Sequence, residues 1–202
     1  MKVESYRKLA EHLDQLPGGF APSETGAELR LLQRLFTEQE AELAIHLTLE
    51  REEAQAIASR AGLPLADTEQ RLAEMARKGL IFSVRPEESH TLYHAVPWIV
   101  GIYEYQVNNL GEAFLRDLGD YWSTRKPRPR PQTIPQMRTI PVGESIEPHL
   151  EALLYEQVDE LIKAHDRFAV APCICRRMAR ATGGGCDVPE AVSYTHLRAH
   201  ET

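Results

Sequence analysis

The chain has 202 residues, a length that suits one or two domains. Its 23 Lys and Arg residues against 30 Asp and Glu give a formal net charge of −7, which disfavours nucleic acid as a partner. Hydrophobic residues make up 43% and charged residues 26%, which excludes a disordered or collagen-like chain. The longest apolar stretch, 95–103, contains Pro97 and falls short of the roughly 20 residues that cross a bilayer, so no membrane insertion is expected. The N-terminus lacks the apolar segment of a secretory signal, which predicts a cytoplasmic protein.

Helical periodicity dominates the first 80 residues, where apolar side chains recur at spacings of three and four. The helices predicted from this spacing cover 3–16, 24–36, 37–47, 51–61 and 66–78. Thr37 and Glu40 have the spacing of a capping box, in which each side chain accepts a hydrogen bond from the other residue's backbone N–H. Gly62 and Gly79 follow the last two helices and are suited to end them.

After residue 79 the pattern changes to one typical of strands. Residues 80–85 and 91–96 are β-prone and flank a Pro-Glu-Glu-Ser turn, which predicts a hairpin. The order of helices, turn, helix and hairpin over 23–96 resembles the winged helix-turn-helix family. The likeness is closest in 56–63 and in the helix ending Arg-Lys-Gly-Leu-Ile at 77–81. The fold class expected for the whole chain is therefore mainly α with a small β-hairpin (α+β).

The net charge of this winged-helix segment bears on whether it binds DNA. Across 23–96 there are 8 Lys and Arg against 13 Asp and Glu, a net charge of −5, whereas a DNA reader needs a basic face. We therefore expect the domain to serve packing or protein contacts, and we expect no sequence-specific DNA binding. Its predicted core consists of apolar residues on the inner faces of the helices and hairpin: Leu43, Leu47, Ile57, Leu72, Met75, Leu80 and Phe82.

The chain beyond the hairpin divides by composition. A helix is predicted from Pro97 to about residue 122, and residues 123–149 form a Pro-rich, basic linker. An amphipathic helix over 150–165 and a short strand over 168–171 are then expected. The predicted organisation is an N-terminal helix (1–22), the winged-helix domain (23–96), a connecting helix (97–122), the linker (123–149), the start of a cysteine-containing segment (150–192) and a tail (193–202).

All three cysteines, Cys173, Cys175 and Cys186, lie in the last 30 residues. A disulfide-stabilised secreted fold would spread an even number of cysteines along the chain, so this cluster suggests a metal, an iron–sulfur cluster or reactive thiols. Three buried cysteines with no chemical role are the alternative. The segment from 167 to 186 contains no acidic residue, and its arginines favour thiolates and offset the negative charge of a thiolate-bound cluster. These arginines include Arg176, Arg177 and Arg180.

The cysteine segment also resembles a known family. Ala-Val-Ala-Pro-Cys-Ile-Cys-Arg at 169–176, followed by Gly-Cys-Asp-x-Pro at 185–189, is similar to bacterial and archaeal ferredoxin-type 4Fe–4S proteins that begin with a winged helix. The likeness extends from about residue 26 to 190. It implies a non-enzymatic electron carrier or redox subunit, with a redox protein as its partner. The same resemblance implies a 4Fe–4S cluster as the cofactor and Cys173, Cys175 and Cys186 as its ligands.

Two features depart from that family. Its further cysteine, seven positions after Cys186, is Ser193 in this chain, and no Cys-x-x-Cys-x-x-Cys repeat follows. Residues 193–202 resemble an adapter-derived, non-native tail, so we expect a truncated reading frame. Since four cysteines usually hold a 4Fe–4S cluster, we expect incomplete ligation by this chain. The alternative function is a winged-helix transcriptional regulator whose cysteines sense a metal or the redox state.

Overall fold

The structure is a computed structural model that describes residues 2–86, 90–126, 163, 170–185 and 191–193. The chain divides into two units, Met1–Gln136 and Met137–Thr202. Most of the described secondary structure is helical, with one three-stranded and one two-stranded antiparallel sheet, which confirms the predicted mainly-α class with a small hairpin. Within the described ranges, no helix is both long and apolar enough to cross a membrane.

The first unit combines helices with a small three-stranded antiparallel sheet. Its elements are α1 (Lys2–Gln15), α2 (Ala27–Leu35), α3 (Glu38–Ala44), β1 (Glu52–Glu53), α4 (Ala54–Ala61), α5 (Leu65–Arg77), β2 (Phe82–Val84), β3 (Leu92–His94), α6 (Tyr103–Tyr105) and α7 (Glu112–Thr124). The strand order is β1-β3-β2. The described elements of the second unit are β4 (Val170–Pro172), α8 (Ile174–Ala181) and β5 (Ala191–Ser193).

The capping box at the start of α3 has the predicted geometry. The Thr37 N–H donates to Glu40 Oε2 at 2.8 Å, and the Glu40 N–H donates to the Thr37 hydroxyl at 3.2 Å. Glu40 is only 5% exposed, and it also accepts from Lys78 Nζ at 2.7 and 2.9 Å. One carboxylate therefore both caps α3 and ties it to the residue that follows α5.

The helix predicted over 51–61 begins later than expected. Glu52 and Glu53 form β1, which pairs with Tyr93 and Leu92, so tertiary pairing overrides the local helical pattern there. The helix α4 begins at Ala54 and ends as predicted at Gly62, whose φ of 67° lies in the left-handed region that glycine favours.

The continuous helix predicted from Pro97 to residue 122 is wrong. The backbone is extended at Ile99 and Val100, and helical geometry resumes in α6 and a 3₁₀ turn before α7 begins after Gly111. Two β-branched residues followed by a glycine are poor helix formers, which explains the first interruption. The unpredicted bend brings Trp98 into the core, where its ring centroid lies 4.7 Å from that of Phe20.

Six of the seven predicted core side chains are buried, at 0–2% exposure. The exception is Phe82, which is half-buried because it lies on an edge strand, where its ring contacts those of His94 and Tyr105.

An ion-pair network fixes α7 against α2. The Asp117 carboxylate accepts from Arg30 Nε at 3.0 Å and from Arg34 Nε, and Arg30 also pairs with Asp120. Burial alone would raise the pKa of Asp117, but hydrogen bonds from Arg34 and Arg30 outweigh it and lower that pKa below its usual value. The chain after the hairpin is thus an integral part of the first unit.

Candidate metal centre

The predicted ligands Cys173 and Cys175 lie where a strand leads into a helix. The strand β4 ends at Pro172, Cys173 follows directly, and α8 begins at Ile174. The Cys173 carbonyl accepts from the Arg177 N–H at 3.0 Å, so this cysteine takes part in the first turn of α8. The predicted strand before the cysteines is therefore present at 170–172, while residues 168 and 169 lie outside the described part of the chain.

The two cysteines differ in exposure. Cys173 is half-buried and Cys175 is exposed, whereas Ile174 between them is buried, at 5% exposure. Ile174 therefore anchors the start of the helix and leaves thiols on both sides of it. The first turn of a helix has unpaired N–H groups and the positive end of the helix dipole, an environment that suits a negatively charged thiolate–metal complex.

Positive charge on α8 adds to this environment. Arg176 and Arg177 are half-buried and Arg180 is exposed, and the sequence from 170 to 185 contains no acidic residue. A thiolate-bound iron–sulfur cluster carries negative charge, which nearby arginines offset. Thiols close to arginines are the chemistry that such a cluster would need.

A glycine turn ends α8. The Gly184 N–H donates to the Ala179 carbonyl at 2.8 Å and the Gly183 N–H to that of Arg180 at 3.1 Å, the double hydrogen bond of a Schellman motif. Gly183 has a φ of 81°, which explains why glycine is required there. The glycine run therefore allows the chain to leave the helix sharply.

The chain returns to the cysteine region through β5. Ala191 pairs with Pro172, next to Cys173, and Ser193 pairs with Val170. Because strand residues rise by about 3.4 Å each, Ser193 lies roughly 10 Å along the strand from the position that faces Cys173. The predicted fourth-ligand position is thus on the strand next to β4, but not directly opposite the first cysteine.

The third predicted ligand, Cys186, lies outside the described residues. In the ranges the structure does describe, no group of three or more His, Cys, Asp or Glu side chains is placed to hold a metal ion. The structure thus locates two of the three predicted ligands at one strand–helix junction.

Two elements of the site had not been predicted. The helix α8 was signalled only by Ile174 and Met178, four residues apart, and by the glycines that follow. The strand β5 was missed because Ser193 was assigned to a non-native tail; only the β-prone Val192 indicated it.

Comparison with known proteins found no match: no family model, curated protein or solved structure matches this chain. The cysteine motif and its geometry are therefore the features that bear on function.

Proposed function

We propose that this chain is a ferredoxin-like iron–sulfur protein that binds a 4Fe–4S cluster through Cys173, Cys175 and Cys186 and serves in electron transfer. The observation that carries the proposal is the junction of β4 and α8, where two cysteines flank a buried Ile174 at the start of an arginine-rich, acid-free helix. Thiolates are the usual ligands of such clusters. Spectator cysteines would be expected in a core, whereas Cys175 is exposed.

Each group at the junction has a role in this proposal. A bound cluster supplies a one-electron redox centre; the residues around it hold it and set its potential through charge, burial and hydrogen bonding to sulfur. Arg176, Arg177 and Arg180 stabilise the more negative, reduced state and thus raise the potential. The half-buried Cys173 and the exposed Cys175 place one ligand towards the protein and one towards solvent, where a redox protein can approach.

We further propose that the segment from α2 to β3 is a winged-helix domain that does not recognise DNA. The order of four helices, with β1 pairing to β3 and a terminal hairpin, supports this fold. Glu69 on α5 and Glu53 on β1 are exposed and repel phosphates, and Arg77 on α5 is paired with Glu74 at 2.7 Å. Duplex binding with an affinity near 10⁻⁸ M, the weaker end of typical specific binding, would favour the alternative, a metal- or redox-sensing regulator.

Anaerobic reconstitution with ferrous iron and sulfide tests the iron–sulfur proposal. The chain offers three thiolates where four are normal, so we expect less than one cluster per chain, and more when a small thiol supplies the fourth ligand. Absorption and EPR spectra measure the yield. Cys173→Ser and Cys175→Ser each lower it strongly, because a serine oxygen is a harder donor than a thiolate. No cluster in the wild type with added thiol, or an undiminished yield in both variants, contradicts the proposal.

A further inference from the structure

The first unit has a cavity between α1, α2 and the loop that joins these two helices. Its volume is about 610 Å³, which falls in the range of small-molecule sites. Side chains of α1, of the loop and of α2 all line it, and Glu28 on α2 is among them. We call this space the α1–α2 cavity.

Glu28 presents one carboxylate oxygen to this cavity. The residue is only 6% exposed, and its Oε2 accepts hydrogen bonds from the Ser23 N–H at 2.9 Å and from the Ser23 hydroxyl. Its Oε1 accepts no hydrogen bond from any residue that the structure describes. Oε1 is not fully enclosed either, since the fully buried polar atoms without a partner in the described ranges belong to His12 and Trp98. Oε1 is therefore open to the cavity that Glu28 lines.

Glu28 also lacks the counter-charge that the other buried carboxylates have. Three carboxylates are buried in the described part of the chain. Glu40 is paired with Lys78 at 2.7 Å, and Asp117 is paired with Arg30 at 3.0 Å, whereas Glu28 forms no ion pair with any described residue. Ser23 and the N-terminus of α2 stabilise its charge, but neither supplies a cation. Since a buried charge is costly without a partner of opposite sign, this carboxylate favours a cation from outside the chain.

The other charges around the cavity favour the same sign of ligand. Glu11 and Asp14 on α1 line it, and Asp14 Oδ1 accepts from the Phe20 N–H at 2.8 Å, which holds the loop against the end of the helix. Arg7 also lines the cavity, but it is paired with Glu4 at 3.3 Å. Among the described residues of the lining, three carboxylates therefore face one arginine that already has a partner.

The rest of the lining indicates which kind of cation fits. Apolar side chains contribute from all three elements: Ala10, Phe20, Pro22 and Leu29. In the described ranges no three His, Cys, Asp or Glu side chains converge to hold a metal ion. An organic ammonium needs only one carboxylate, and its hydrocarbon part gains from apolar contacts that a hydrated metal ion would not make.

We propose that the α1–α2 cavity binds a small organic ammonium ion. Its N–H groups donate to Glu28 Oε1, and its hydrocarbon part contacts Phe20 and Leu29. A hydrogen bond between two charged groups is stronger than a neutral one, so Glu28 provides the main polar contact. Glu11 and Asp14 add attraction through their charge without a direct contact to the ligand.

Calorimetry on the whole chain tests this site with butylammonium and benzylammonium. Butanol and benzyl alcohol have nearly the same shapes without the charge, so we expect each to bind about tenfold more weakly than its ammonium counterpart, or weaker still. Binding should persist in about 0.15 M sodium chloride, because salt screens a buried charge less than an exposed one. The proposal is wrong if neither ammonium binds at millimolar concentration, or if the alcohols bind as tightly as the ammonium ions.

Substitutions separate a ligand site from a carboxylate that only holds Ser23. Glu28→Gln removes the charge but keeps an oxygen that can accept from Ser23, so it should weaken ammonium binding about tenfold or more. Glu11→Gln, at an exposed position of the lining, should weaken it by a smaller factor. Glu24→Gln, at an exposed position of the same loop that does not line the cavity, should leave binding unchanged.

Circular dichroism establishes that each variant is folded. Equal affinity of Glu28→Gln and the wild type contradicts the proposal, as does equal affinity of Glu11→Gln if Glu28→Gln does not fold. None of these results depends on the iron–sulfur centre, since no cysteine lies among the described residues that line the cavity.

Discussion

Residues 2–126 and the described residues from 170 onward are stabilised by different means. The first region has a continuous apolar core, ion pairs between distant helices, and no cysteine. In the second region, Ile174 is the only side chain described as buried between 172 and 185, and the chain contains a cysteine pair, three arginines and three glycines. The first region therefore has the interactions to fold without a ligand, while the second has the groups to bind one.

Because of this difference, the two regions should respond to different substitutions. Flexible glycines make the ordering of 183–185 entropically costly, and a thiolate-bound cluster, as proposed, would offset that cost. We therefore expect substitutions in the core to change the unfolding of the first region and leave the cluster yield unchanged. Substitutions at the cysteines should do the reverse.

The largest expected effect is on the cluster yield of the second region, when a fourth thiolate is supplied. Ser193→Cys should raise the reconstituted yield without any added thiol, since it supplies a fourth thiolate on the strand that pairs with β4. Iron and sulfide analysis measures the change. Ser59→Cys, at an exposed position of α4, adds a thiol elsewhere and should leave the yield unchanged. An equal yield in Ser193→Cys and the wild type would show that this position does not supply a ligand.

Removing a core side chain tests the first region. Leu72 is 0% exposed, so Leu72→Ala should lower the free energy of unfolding by about 2–5 kcal/mol, measured by urea denaturation. Leu65→Ala is the matched control, since Leu65 belongs to the same helix but is 37% exposed, and its effect should be under about 1 kcal/mol. Equal effects of the two substitutions would contradict the burial described for α5.

The ion-pair network between α2 and α7 should contribute less than the core. Asp117 has a side chain only 6% exposed and is bound by two arginines, so Asp117→Asn should cost about 1–3 kcal/mol of unfolding free energy. The control is Glu4→Gln, which breaks the exposed Glu4–Arg7 pair and should change stability by less than about 0.5 kcal/mol. An Asp117→Asn protein as stable as the wild type would show that this network does not stabilise the fold.

The smallest expected effect is a pH dependence from His12 on α1. Burial lowers the pKa of His12 below its usual 6.5, a hydrogen bond with the Leu47 backbone opposes this shift, and His46 adds to it. Because the folded-state pKa is below the unfolded one, unfolding binds protons, and stability is lost as the pH falls below 6.5 towards the folded-state pKa. Urea midpoints measured on both sides of pH 6.5 should differ less in His12→Gln than in the wild type. His90→Gln, at an exposed position, should keep the wild-type difference.

Local signals in the sequence predicted much of the first region. The capping box of Thr37 and Glu40 and the stop at Gly62 depend on residues only a few positions apart, and both are confirmed. The strand β1 depends on pairing with β3, about forty residues away, and local periodicity does not report it. The contacts of Lys78 with Glu40 and of Arg30 with Asp117 were missed for the same reason.

The candidate metal centre was predictable to a smaller extent. The motif around Cys173 and Cys175 was visible because cysteines are rare and closely spaced here, and the strand before them follows from its β-prone residues. The helix α8 was hidden by its short length, and β5 by a pairing that forms only after the glycine turn.

The most direct test of the account is the iron and sulfide content of the reconstituted chain with added thiol, compared with a variant carrying Cys173→Ser, Cys175→Ser and Cys186→Ser together. Thermal unfolding of both proteins is followed in the same preparations. We predict equal amounts of iron and sulfide in the wild type, neither in the triple variant, and the same melting transition of the first region in both. A triple variant that still binds iron and sulfide, or a wild type that binds none, would contradict the central claim that the cysteine segment holds an iron–sulfur cluster.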